Sequence, residues 1–148
     1  MNTVDLEKAQ KQLAKVLLDL DSAVIHERLE NSVFKILFDN LPIIAFISDG
    51  TGYGRFLNKK WTELTGMTIE DHTNGSWINC MYLEDVPQFK IKWEHSLATL
   101  EKFECQYRVY SPDGKFIHHL SVVGWPFNIS QTRVAVTGYG LVEKTETR

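Results

Sequence analysis

The sequence predicts an α+β fold: a five-stranded antiparallel sheet with a helical belt on one face, preceded by a long N-terminal helix. Three observations predict it. Strand-like stretches fall into two groups, with helix-like stretches between them. Each group contains tight turn signals, which make its strands hairpin or meander neighbours and therefore antiparallel. The first thirty residues contain neither Gly nor Pro.

From Val4 to Glu30 the chain reads as one continuous helix. Leu6, Leu13 and Leu20 recur every seven residues, and Gln10, Leu17 and Val24 interleave four residues after each, a pattern of about three heptads. Two arrangements fit it: a coiled coil with a second copy, or an amphipathic helix packed on its own domain. Residues 1–31 are therefore expected to form a separate signalling helix, and residues 32–148 the domain proper. A short helix from Asn31 to Asp39 should end before Pro42, because the residue preceding proline leaves helical space. Ile43 to Ser48, β-branched and aromatic, reads as a buried strand, turned at 49–52 into a second strand from Tyr53 to Leu57.

In the middle, Asn58 is placed to cap a helix that Gly66 closes. Thr68 and Asp71 have capping-box spacing for the next short helix. Trp77 to Tyr82 is apolar. Glu84 and Asp85 should open a longer helix reaching Leu100, with Phe89, Trp93 and Leu97 as its buried stripe. Phe103, Cys105, Tyr107 and Val109 then alternate with polar residues in the two-residue period of a half-buried strand. Ser111-Pro112-Asp113-Gly114 marks a turn into a strand from Lys115 to Trp125, where His118, Leu120 and Val122 share a phase. Pro126 to Gln131 reads as the next connection, and Arg133 to Val142 as the last strand.

The charge excludes some partners. At net charge −3, with both signs interspersed, nothing favours nucleic acid or an anionic membrane. The longest uncharged apolar run, Leu41 to Ser48, is far below the ~20 residues that span a bilayer, and the N-terminus is too polar for a secretory signal. Cys80 and Cys105 have no metal-ligand spacing and read as reduced thiols of a cytoplasmic protein. No Ser-His-Asp set, phosphate-cradling loop or zinc signature is present, and the G-x-G within residues 49–54 joins two strands, so no enzymatic activity is expected.

Four stretches together resemble the PAS family, in particular its sensor-kinase and diguanylate-cyclase-associated branch. They are Asn58-x-x-Trp61-Thr62-Glu63-x-Thr65-Gly66; Trp77 to Asp85; Phe103 to Val109 followed by Asp113-Gly114; and Gly124-x-Pro126 with Gly138-x-Gly140. Tyr82-Leu83 stand where that family usually has His-Pro, and Glu143-Lys144-Thr145 where it has Asp-Ile-Thr. The resemblance implies a small interior cavity under the helices, a homodimer, and an attached effector domain that receives a signal through flanking helices.

Phe46, Phe56, Trp61, Ile78, Trp93, Leu97, Tyr107, His118 and Val136 are the candidates for a ligand pocket, with a completely filled core as the competing reading. With the filled core the chain would serve as a dimerisation domain without ligand. The cofactor is left open. Asn79-Cys80 is similar to the pair of flavin-binding relatives but lacks their following arginine and glutamine, and His95 fits a helix surface better than a haem ligand, so neither flavin nor haem is expected. His118 and His119 point to opposite faces of a strand, His118 as a core histidine.

Overall fold

The computed structural model describes residues 5–12, 33–49, 54–73 and 75–148. The helices are α1 (residues 5–12), α2 (Val33–Asp39), α3 (Lys59–Thr65), α4 (Ile69–Thr73) and α5 (Val86–Thr99). The strands are β1 (Ile44–Asp49), β2 (Gly54–Leu57), β3 (Phe103–Tyr110), β4 (Phe116–Asn128) and β5 (Val134–Thr147). Short 3-10 turns at Ser76–Cys80 and Leu83–Asp85 lead into α5. Of the heptad residues, Leu6 lies in α1, partly exposed, while Leu13, Leu17, Leu20 and Val24 lie outside the described residues.

The five strands form one antiparallel sheet in the order β2-β1-β5-β4-β3. Its inner face carries Ile44, Phe46, Leu57, Phe103, Cys105, Tyr107, Val109, Leu120 and Val122, and α3, α5 and the turn between them pack Trp61, Cys80, Met81 and Phe89 against it. Cys80 and Cys105 are free and buried there. The outer face is also covered within the single chain, since Ala45, Ile47, Trp125, Phe127, Ala135 and Thr137 are all buried. That explains why β1 reads as an unbroken apolar run: a strand buried on both faces has no polar side to alternate with.

Local expectations held where a backbone device enforced them. Gly66 ends α3 in the left-handed region (φ 73°), its N–H donating to the Thr62 carbonyl at 2.8 Å. Thr68 and Asp71 cap α4 reciprocally: Asp71 Oδ2 accepts from the Thr68 N–H at 2.8 Å and Thr68 Oγ1 from the Asp71 N–H at 3.5 Å.

Other expectations are corrected. Asn58 occupies the position before α3 but makes no capping bond. Asp39 caps instead, its Oδ1 accepting from the Lys59 N–H at 2.9 Å. The Asn58 side chain, fully buried, turns the other way: Nδ2 donates to the carbonyls of Phe38 (3.0 Å) and Ile43 (2.7 Å), and Oδ1 accepts from the Ala45 N–H (3.0 Å). The long helix starts at Val86, not at Glu84, because Leu83–Asp85 form a 3-10 turn and Asp85 is drawn off to Arg108. β4 does not stop at Trp125. It runs through Pro126 to Asn128, since beyond Gly124 it has no β3 neighbour and a residue without an N–H loses no ladder bond on that flank. β5 continues to Thr147, with Glu143 as an extra residue between the pairs Leu120–Val142 and His119–Lys144.

Gly138 sits opposite both Phe46 and Gly124, and a Cβ there would be driven into the Val123 carbonyl oxygen. Gly138→Ala is expected to destabilise the fold by about 3 kcal/mol through strand displacement. Asn58→Ala removes three side-chain hydrogen bonds, to the Phe38 and Ile43 carbonyls and the Ala45 N–H, and is expected to cost about 3 kcal/mol as well. Urea unfolding of both variants checks these values; a loss under about 0.5 kcal/mol for Asn58→Ala would show that water replaces the carboxamide.

Candidate functional site

Between the inner face of the sheet and the helices lies a cavity of about 60 Å³. The two-residue period of β1 turns Ile44, Phe46 and Ser48 toward it, and β2 adds Leu57. Trp61 comes from α3, Trp77 from the following 3-10 turn, and Phe89 and Trp93 from successive turns of α5. Phe103 and Tyr107 of β3 and Val122 of β4 complete the lining. Phe89 organises the rings. It meets Trp77 (5.4 Å), Phe103 (5.4 Å) and Tyr107 (5.2 Å) edge to face and stacks on Trp93 (6.0 Å). Trp93 also stands on Phe103 at 5.2 Å, so its indole is held from two sides.

No side chain in the lining carries a formal charge at neutral pH. Tyr107 is the one ionisable member, and burial raises its phenol pKa far above the usual value, so it stays protonated. The neighbouring Cys80 thiol is pushed up to about 12, mainly by burial, and stays protonated too. Two polar atoms on lining residues, Ser48 Oγ and Trp93 Nε1, are buried with no hydrogen-bond partner.

Four of the nine candidate residues line this space: Phe46, Trp61, Trp93 and Tyr107. The others lie elsewhere for identifiable reasons. Phe56 pairs with Ile47, which puts it on the outer face and its neighbour Leu57 inside. Val136 is on the inner face but packs over Gly124, filling the slot that glycine leaves. Ile78 is packed against the core away from the lining, and Leu97 is one turn beyond Trp93. His118 has the expected inward phase, opposite Val109, but lies only partly buried at the far end of the sheet. Its Nδ1 is 2.8 Å from Thr145 Oγ1, and burial lowers its pKa. His95 is exposed and paired with Glu101 at 2.9 Å, facing away from the cavity. Sequence reasoning missed Ile44, Ser48, Leu57, Trp77, Phe89, Phe103 and Val122 as lining residues, although the periods of β1, α5 and β3 already placed most of them on inward faces.

Outside the cavity, Asp85 and Arg108 form a two-pronged ion pair (2.9 and 2.7 Å), and Asp85 Oδ2 also accepts from the Arg108 N–H at 2.8 Å. The Arg108 guanidinium lies 3.9 Å over Tyr82, Tyr82 stacks on Tyr110 at 5.6 Å, and Arg148 covers Tyr110 at 4.6 Å. The foot of α5 is thus joined through β3 to the end of β5. Among the described residues, no group of three or more His, Cys, Asp and Glu could hold a metal ion, and no helix is long and apolar enough to cross a membrane.

A family model described as the PAS fold matches residues 55–143. A protein named y4lL from Sinorhizobium fredii (strain NBRC 101917 / NGR234) is 24% identical over 148 residues, covering 95% of this chain and 17% of its own length. The chain therefore spans less than a fifth of that relative. Among solved structures, a PAS domain from a two-component sensor histidine kinase has a TM-score of 0.56 at 17% identity, covering 78% of this chain and 97% of its own. The N-terminal domain of a diguanylate cyclase with a PAS/PAC sensor from Marinobacter aquaeolei scores 0.58 at 16% identity, over 68% and 94%. The PAS domain of the Cronobacter turicensis quorum-sensing receptor RpfR, in complex with BDSF, scores 0.56 at 9% identity, over 71% and 97%. At these identities the likeness is one of fold.

The hydrogen bonds from Arg108 hold the Asp85 pKa below its ordinary value. The folded chain then binds fewer protons there than the unfolded chain, so the pair's contribution is complete above about pH 4 and fades as the pH falls below it. Asp85→Asn is expected to lower stability at pH 7 by about 1 kcal/mol and to flatten the acid limb of the stability profile. Thermal unfolding at pH 3, 5 and 7 measures both; an unchanged acid limb would remove Asp85 from the linkage.

Proposed function

Because the chain belongs to the PAS-fold family, we propose that it is the sensory module of a signalling protein, with the cavity as its input site. The cavity carries this reading. Unfilled core volume costs stability, and a core built for stability alone would close the space. Instead seven aromatic residues, Phe46, Trp61, Trp77, Phe89, Trp93, Phe103 and Tyr107, frame it between the sheet and the belt.

In this reading the module binds and transmits, and catalysis belongs to an effector of the kind that the histidine-kinase and diguanylate-cyclase neighbours carry. A ligand pressing on Trp61 would act on α3, and through Asn58 on α2 and the N-terminal helix, whose heptads would pair with a second copy. A ligand pressing on Phe89 and Trp93 would act on α5, whose foot is tied to Arg108. The site biases elements that lead to both flanks, as a two-state relay requires. The module would work in the cytoplasm, with neither nucleic acid nor membrane as its partner.

Native mass spectrometry of the chain purified without additives tests this reading. Mass above the polypeptide that disappears on denaturation would support an occupied input site and weigh its ligand. A bare dimer that also gains no mass from a screen of small metabolites would sink the sensory reading and leave a ligand-free dimerisation domain.

A further inference from the structure

Resting on the reading of the cavity as the input site, we propose that it takes a small uncharged molecule, mostly hydrocarbon, bearing a hydrogen-bond-accepting oxygen such as a ketone, aldehyde or ester carbonyl. The lining decides the first part. Its rings and aliphatic chains offer no counter-ion, so a carboxylate or ammonium would lose its hydration with nothing in return. The unpaired polar atoms decide the second. An indole N–H donates and never accepts, so Trp93 Nε1 requires an acceptor. The ring is held against swinging to find one elsewhere, because Phe89 stacks on it and Phe103 packs against it at right angles. Ser48 supplies a second polar group, 5% exposed and on the inward side of β1.

These two groups lie at the same end of the sheet. Ser48 pairs with Val136, one row of inward residues from the row Phe46, Gly138, Gly124 and Phe103 on which Trp93 stands. The rest of the lining is hydrocarbon and aromatic ring apart from the Tyr107 hydroxyl and the Trp61 and Trp77 indole N–H groups, so the space divides into a few polar atoms and a mostly apolar surface. An amphiphile without charge matches that division. Two competitors fit less well. Water needs two to four polar partners and would leave most of the lining uncovered. A quaternary cation would gain from the ring faces but would meet the positive end of the unpaired N–H dipole, with no carboxylate to offset it.

The test uses the 148-residue chain labelled with ¹⁵N and its tryptophan indole resonances, with Trp93 assigned by Trp93→Phe. Three probes of equal heavy-atom count are titrated: 2-butanone, 2-methyl-1-butene and propanoate. The expected result is about tenfold tighter binding of butanone than of the alkene, as one otherwise orphaned buried donor implies. A downfield shift of the Trp93 indole proton should accompany it, with no response to propanoate. Ser48→Ala, which removes only a hydroxyl, should cut the preference about threefold, and it keeps the test open if Trp93→Phe does not fold. Equal binding of alkene and ketone, or tightest binding of propanoate, would overturn the ligand class while leaving the input site standing. No binding by any probe, with the Trp93 indole exchanging freely with water, would overturn both.

Discussion

A single buried carboxamide holds the helical layer to the sheet. Asn58 is fully buried and spends its side chain on three backbone groups: the carbonyl at the end of α2, and a carbonyl and an N–H where β1 begins. A buried backbone group without a partner costs about 1–3 kcal/mol, so these bonds fix where the chain leaves α2 and where β1 takes up its alternation. Once Ala45 is pinned, Ile44, Phe46 and Ser48 must face inward. Because α3 starts at the next residue, Trp61 is pinned by the same anchor. The front wall and the roof of the cavity share one reference point.

Much of the fold was legible because local chemistry and burial agreed. The period of β3 is unambiguous because one face is wet and the other dry, and the spacing of Phe89 and Trp93 gave the inward stripe of α5. Legibility failed where the deciding partner was distant in sequence. Asn58 carries a helix-start signal, and only the fold shows that Asp39, nineteen positions earlier, does the capping. Phe56-Leu57 are two apolar neighbours in a short strand, so hydrophobicity cannot choose which faces in; pairing with Ile47 decides it. Pro126 marks a strand end by composition, but its flank there is already open.

The cavity illustrates the same division. Aromatic residues announced an apolar site, while the unpaired polar atoms in its lining were invisible. In the sequence Ser48 reads only as the end of an apolar strand, and Trp93 only as an aromatic wall of the pocket. Their shared lack of partners emerges only when β1 and α5 are brought across the sheet from each other. His118 shows the converse. Its phase was correct, but depth along a strand is set by where the covering helices stop, and α3 leaves it at the rim beside Thr145.

The extra residue at Glu143 decides what β5 can do beyond the core. It exchanges the two sides of the strand, so Thr145 meets His118 on one face while Arg148 reaches Tyr110 at the other. The end of the strand is thus held on both sides, once by His118 of β4 and once, through Tyr110, Tyr82 and Arg108, toward the foot of α5. Such a strand resists turning about its own axis. In the proposed relay, a rotation imposed by the helices would be passed along it as torque, where a terminus held by a single contact would absorb the motion as slack.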